Sequence, residues 1–552
     1  GWGRGRPVMA RAWTSIVGQL TPTTPTTTGS SCLVSGLCTD ARSLHIPVQY
    51  RLLGPELILI CGALFILTVA SLLPKRTRPT LWVTLTVVTG LAAGGWSAAL
   101  WGDADAAHAR LIVGNALAFD RYTVFFMVLV STAVVLAALI SDSYLRREKL
   151  VGPEFYVLSL LSASGAMIMA EANDLLVVFL GLEILSIALY VMAGYHRRRE
   201  VSGEAAMKYF ILGAFSSAVF LYGIALVYGA TGSTRLSEIA DFLARTHVPH
   251  SVLLAGVILL IVGLGFKVAA VPFHAWTPDV YQGSPTPATG FMAAVAKAGG
   301  FAALLRILVS AFPTVSVDWR PVIWVLAALS LVVGSMLAIV QTDVKRMLAY
   351  SSISHAGYVL IGVQAASKDG TAAALFYLMS YMFMVLGSFA VVAVVSGTGE
   401  ARNDLGGFRG LSSRRPGLAF VFTVLLLAQA GVPFTTGFLA KFYVVSAAVG
   451  RGQYPLAIIA MLAAAIAAFF YLRVAIFMYS PVDPPAGPGA ADGAGGLGVL
   501  GGLALAAPPE TGRITIPTGV AIALGVCVGF TVVFGFIPGP LIYFARHATL
   551  LF

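Results

Sequence analysis

Residues 252–276 read VLLAGVILLIVGLGFKVAAVPFHAW. The stretch is as long as the roughly 20 apolar residues that cross a bilayer core, yet it holds Lys267, Pro272 and His274. An ionisable group inside a membrane helix costs several kcal/mol on most scales and faces a bundle interior or a wet cavity. A proline there frees a carbonyl and breaks the rod. A second stretch, 415–449, repeats the pattern with Val432-Pro433-Phe434 and Lys441. Lys267 lies five residues before its proline and Lys441 eight after its own. Offsets of opposite sign are what two related units inserted upside down would give. Discontinuous helices in matching positions point to an ion site, where open backbone groups can hold water and ions.

The rest of the chain shares this idiom. Of 552 residues, 58% are hydrophobic and 11% charged, against roughly 25% charged in a soluble domain. A soluble fold cannot cover its surface with so few polar groups. Cytosolic enzymes, disordered scaffolds and nucleic-acid binders are thereby excluded. We expect an all-α polytopic membrane protein with about 14 transmembrane helices. The candidate spans are 55–73, 80–101, 121–140, 154–171, 174–195, 204–230, 252–276, 286–311, 320–341, 343–363, 371–396, 415–449, 455–480 and 516–537. The runs are continuous, without the alternation of a membrane barrel, so strands are not expected.

The expected domains are an irregular extension (1–50), the first three helices (51–150), two halves with one broken helix each (151–312 and 313–480), a Pro/Gly-rich linker (481–513) and a last helix (514–552). The extension has no apolar run suited to a secretory signal. The net charge is +11. The loops after odd-numbered helices hold more than twice the Lys and Arg of the other set. That puts the richer set in the cytoplasm and both termini outside, although Arg4, Arg6, Arg11, Arg42 and Arg51 oppose it.

Few charges sit inside the spans. Glu183 lies in FLGLEILSIALY, Lys208 in EAAMKYFILGAF, Lys297 in FMAAVAKAGGFAALLR and Lys441 in TTGFLAKFYVVSAAV. Lys208, near a helix end, can snorkel to the interface. Arg306 and Arg473 read as snorkelling or structural. Lys267 and Lys297 lie too deep for that and, with Glu183 and Lys441, are candidates for function. His274, at the first break, and His355, in SSISHAGYVL, titrate near neutrality and suit a proton relay, though a buried His is also an ordinary packing residue.

Cysteine supplies no cluster. Cys61 and Cys527 read as packing residues, while Cys32 and Cys38 pair or stay free with equal ease. There is no Walker A motif, no strand followed by G-x-G-x-x-G and no H-E-x-x-H. We therefore expect no cofactor or metal in this chain, and work driven by an ion gradient or a partner.

Three stretches together carry a resemblance: GFKVAAVPFHAWTPDVYQGSPTPATGFMAAVAKAGGFAALLR (265–306), QTDVKRMLAYSSISHAGY (341–358) and AGVPFTTGFLAKFYV (430–444). They resemble the antiporter-like membrane subunits of respiratory complex I and Mrp-type cation/proton antiporters. TPDVYQGSP and the lysine at 441 are similar to the N-type branch; a chain that stops at Phe552 is expected to lack the long lateral helix of the L-type. The resemblance implies fourteen helices with two inverted five-helix repeats. It implies that Glu183 and Lys208 form a coupled ion pair. Lys267 would be the central lysine, Lys297 the connecting one and Lys441 the terminal one near the outer exit. His274 and His355 would bridge gaps. It further implies a non-redox subunit of an H+-translocating NADH:quinone oxidoreductase in the bacterial plasma membrane. Its partners would be the lipid bilayer and other complex I subunits, which carry NADH, FMN, iron–sulfur clusters and quinone; no nucleic acid is expected. Two rivals use the same residues differently: an Mrp-type sodium/proton antiporter subunit, and a structural spacer.

Overall fold

Apolar runs of this length fold as helices because a helix satisfies every backbone polar group within its own segment. The computed structural model describes residues 48–73, 79–105, 108–246, 250–481, 515–548 and 550. The chain from Pro47 onward is one compact, mostly helical unit. Its helices are α1 (Gly54–Leu72), α2 (Thr80–Ala99), α3 (Arg121–Arg147), α4 (Glu154–Glu171), α5 (Leu175–Ala193), α6 (Glu200–Thr231), α7 (Leu236–Arg245), α8 (His250–Val268) and α9 (Trp276–Gly283). They continue with α10 (Thr286–Ala311), α11 (Ser316–Ile339), α12 (Val344–Gln364), α13 (Lys368–Val395), α14 (Pro416–Ala430), α15 (Thr436–Gly450), α16 (Tyr454–Tyr479), α17 (Thr518–Phe536) and α18 (Gly539–His547). Among the described residues, eleven helices are long and apolar enough to cross a membrane, and α14 and α15 are shorter apolar pieces.

Burial sorts the helices. α10 and α13 are enclosed along nearly their whole length, and α12 is almost as deep. The rim helices α1, α2, α6 and α17 bury a much smaller share and turn residues such as Leu72, Leu91, Phe215 and Phe536 outward. Polar side chains start the helices. Asp120 accepts from the Thr123 N–H (2.8 Å), Asp174 from Leu176 (2.8 Å) and Asp343 from Arg346 (2.8 Å). Small residues let backbones meet: a Cβ on Gly165 of α4 would sit 2.7 Å from the Gly181 carbonyl oxygen of α5.

Both proline-bearing stretches are broken. α8 ends at Val268, and the chain crosses 269–275 before α9. Trp276 Nε1 then donates to the Phe266 carbonyl (3.0 Å), tying the far side of the break to α8. The second break lies between α14 and α15, where Gly431 takes φ +94°. α10 is regular at neither end of its centre: π turns at Met292–Ala296 and Ile307–Ala311 bracket Lys297–Arg306.

Some expectations are corrected. A short antiparallel hairpin, β1 (Arg110–Ile112) with β2 (Leu117–Phe119), joins α2 to α3, because Val113, Gly114 and Asn115 take positive φ and turn the chain back on itself. Cys61 is exposed on the outward face of α1 instead of packed, while Cys527 is buried. The extension through residue 47, with Cys32 and Cys38, and linker residues 482–514 lie outside the described residues.

Candidate functional site

Lys267 occupies the last turn of α8, one residue before the break. The carbonyl end of a helix favours a cation. The side chain is 3% exposed; its Nζ donates to Ser186 Oγ (2.8 Å) and Tyr209 OH (3.0 Å). The ammonium also sits over the Tyr209 ring, 5.2 Å from the centroid. Tyr209 is held by stacking on Trp276 at 4.5 Å.

Lys297 follows the first π turn of α10, and π turns recur at functional sites. It is 3% exposed and donates to the Ser352 carbonyl, with the Tyr381 ring 5.7 Å away. Two groups of hydroxyls lie beyond it, one on Ser352 and one on its chain neighbour Ser351. Tyr381 donates to Ser352 Oγ (2.8 Å), and Tyr281 OH lies 3.5 Å from that oxygen. Ser351 pairs with Tyr471, whose hydroxyl stands 3.1 Å from His355 Nε2 and donates to Gln429 Oε1 (3.5 Å). His355 Nδ1 meets Tyr377 OH at 2.6 Å. His355 is within electrostatic reach of both Lys297 and Lys441.

Lys441 lies in the second turn of α15 and reaches back across the break. Its Nζ donates to the Ala430 carbonyl (2.8 Å), the last of α14, and sits 5.0 Å from the Tyr358 ring centroid. Both breaks therefore bring an amine to the carbonyl end of a half-helix. Among the described residues no carboxylate forms a salt bridge with Lys267, Lys297 or Lys441. Hydroxyls both donate and accept, so the Ser–Tyr shell of Lys267 can serve an ammonium or a neutral amine, and the carbonyls that meet Lys297 and Lys441 accept from either form.

Other ionisable groups behave differently. Glu183 is half-buried, with Oε1 unpartnered, and acts electrostatically on Lys267. Lys208 does not pair with Glu183. It bridges Glu204 and Asp279, each at 2.7 Å, with 41% of its side chain exposed. The reason is spacing: Glu204 is one helical turn away, and Asp279 of α9 is folded back beside α6 by the break. Arg346 holds the other Asp279 oxygen (2.7 Å). His274 is half-buried, its Nδ1 has no hydrogen-bond partner among the described residues, and none of its bonds reaches the three amines. Arg306 does not snorkel; it is buried and grips Asp120 with two bonds of 3.0 and 2.9 Å. Arg473 donates to the Ile339 carbonyl at the end of α11 (2.9 Å).

Residues missed in the sequence form a clamp at the loop end of α12. Lys345, wholly buried, donates to the Ser284 carbonyl (2.6 Å) and to Glu400 Oε2 (2.8 Å). Arg199 meets the same oxygen at 2.9 Å, and Thr286 gives Oε1 its N–H and hydroxyl. Burial pushes the Glu400 carboxyl up, but Lys345 and Arg199 outweigh it and hold it below the usual carboxylate range. Nothing local marked these residues, since Lys345 opens a helix and Glu400 lies in a polar loop. Among the described residues no three His, Cys, Asp or Glu are placed to hold a metal ion.

Broken helices around a row of buried amines define a polytopic membrane protein of the antiporter-like class. The family model described as NADH:quinone oxidoreductase/Mrp antiporter, TM, matches residues 172–467, and the chain belongs to that family. A protein of Trichlorobacter lovleyi named NADH-quinone oxidoreductase subunit N is 40% identical over 514 residues, covering 93% of this chain and 99% of that relative. A chain in the structure of respiratory complex I from Thermus thermophilus aligns with TM-score 0.72 and 32% identity, over 89% of this chain and 99% of that one. A chain of the Mrp complex from Dietzia sp. DQ12-45-1b aligns with TM-score 0.76 over 91% of this chain and 97% of that one; at 19% identity it shows the shared fold alone.

Proposed function

We propose that this chain is a proton-translocating, non-redox membrane subunit of an NADH–quinone oxidoreductase. The observation that carries the reading is the row Lys267, Lys297, Lys441: three buried amines without a carboxylate salt bridge among the described residues, with His355 and tyrosine hydroxyls between the last two. Its relatives bear the name of that enzyme's subunit N. The partners are the other membrane and redox subunits, and NADH, flavin, iron–sulfur clusters and quinone belong to them. The site is the bacterial plasma membrane, with about 14 crossings.

Two inverted five-helix repeats, α4 to α10 and α11 to α16, are supported by a break in the fourth crossing of each and by the opposite offsets of Lys267 and Lys441. The basic loops face the cytoplasm and both termini lie outside.

In this reading a proton loaded on one amine repels the next. Glu183 acts on Lys267, and the Lys208–Glu204–Asp279–Arg346 cluster is where a neighbouring subunit can move charge. The relay passes from Lys267 to Lys297, then through Ser352 and its neighbour Ser351 to Tyr471 and His355, toward Lys441. Moving one charge against 100 mV takes about 2.3 kcal/mol, within the range of coupled buried charges. The test is NADH-driven pumping by the purified complex in proteoliposomes. Lys267→Ala is expected to abolish pumping and slow coupled oxidase activity while assembly persists. Normal pumping by the assembled variant removes Lys267 from the mechanism. Sodium transport without NADH dehydrogenase subunits would favour the Mrp reading.

A further inference from the structure

Two carboxyl side chains outside the amine row are sealed in the fold. Glu56 opens α1 and Glu171 closes α4, and these helices pack together. They are 3% and 1% exposed. Both oxygens of Glu56 and Oε2 of Glu171 lack a hydrogen-bond partner among the described residues. Buried carboxylate oxygens are ordinarily paired, so three orphans in one place need an explanation.

Nearby cations do not supply it. Glu171 is within electrostatic reach of Glu56, Arg306 and Asp120. Four of the five N–H donors of Arg306 are committed elsewhere. Nη1 and Nη2 go to Asp120 (3.0 and 2.9 Å), Nη2 also to Thr123 Oγ1 (2.8 Å), and Nε to the Ala170 carbonyl (2.6 Å). Arg51, before α1, pairs with Asp103 after α2 at the surface (2.6 Å). Arg121 of α3 lies over the Trp101 ring, 5.3 Å from its centroid. Asp120 already pairs with Arg306, which leaves Glu56 and Glu171, among the described residues, as two acidic groups with no salt-bridge partner. Like carboxylates in a dry site do not both ionise. A metal ion is not the answer, since among the described residues no three ligands are placed for one.

We propose that Glu56 and Glu171 form a proton-holding carboxyl pair where the start of α1 packs beside the end of α4, exchanging its proton with water. Release leaves a carboxylate and places the proton on a water; uptake reverses the step, and no electron moves. The pair rests on the reading of the chain as a proton translocator and adds a station outside the amine row.

The test uses the whole membrane complex. Infrared difference spectra, in H2O and D2O, are recorded alongside NADH-driven pumping for wild type, Glu56→Gln and Glu171→Gln. A protonated-carboxyl band is expected in wild type and is lost in either variant, with pumping reduced about tenfold or more. Absence of that band, or wild-type pumping by both assembled variants, overturns the proposal. If a glutamine variant does not assemble, Glu56→Asp and Glu171→Asp keep the acid, and the band is expected to shift; an unmoved band overturns it. A Lys267→Ala control separates the two claims. If that variant pumps like wild type, the translocator reading fails; if it is dead while the glutamine variants pump, the pair alone fails.

Discussion

Lys297 and Lys345 are both sealed in the protein, yet their surroundings differ. Lys345 meets Glu400, which also binds Arg199 and Thr286. Lys297 meets a backbone carbonyl and an aromatic face. Glu400 carries a buried negative charge, so Lys345 must keep its proton to balance it in the clamp. The shell of Lys297 makes no such demand. Burial alone therefore does not mark the site; the charge of the partner does. Arg306 with Asp120 falls on the side of Lys345, and Lys267 and Lys441 on the side of Lys297.

The sharpest way to break the comparison is to remove each amine. Lys297→Ala is expected to leave an assembled complex that no longer pumps. Lys345→Ala, by leaving a buried carboxylate short of a partner, is expected to cost about 3–5 kcal/mol and to lower the yield of complex. Native gels and proteoliposome pumping distinguish the two; a Lys345→Ala complex that assembles fully but is dead would erase the distinction. A smaller change converts one kind into the other. Ser186→Asp puts an acceptor-only group where Ser186 Oγ now lies 2.8 Å from Lys267 Nζ. Pumping should fall about tenfold or more, whereas Ser186→Ala, which removes one neutral acceptor worth about 1 kcal/mol, has a lesser effect.

The least effect is one of pH. The Glu400 carboxyl is held below its ordinary range, so its stabilisation is complete above the unfolded value of about 4.3. It is lost as pH falls from there through the lower folded value. Thermal melting of the complex should show no contribution from this clamp between neutral and mildly acid pH, then a loss in stronger acid that Glu400→Gln reduces. A loss already centred near pH 6 would contradict the assignment.

The amine row was legible because a lone lysine in a long apolar run has no inexpensive explanation, and Pro272 and Pro433 announced the breaks. The shell around the amines was not. A tyrosine such as Tyr209, Tyr381 or Tyr471 is ordinary in an apolar helix, and its partner lies tens of residues away. Lys345, Glu56 and Glu171 hid at helix ends, where a charge normally reaches water; tertiary packing closed over them. The second partner of Lys208 was also beyond sequence reasoning, because the break at 269–275 decides where Asp279 lands.

The most direct measurement is a high-resolution density map of this chain inside its assembled complex, with ordered water visible. The account predicts amines of Lys267, Lys297 and Lys441 turned inward and joined by water and hydroxyl density through Ser352, Tyr471 and His355. Amines turned into acyl chains, or dry packing that isolates each of them in every state, would contradict it.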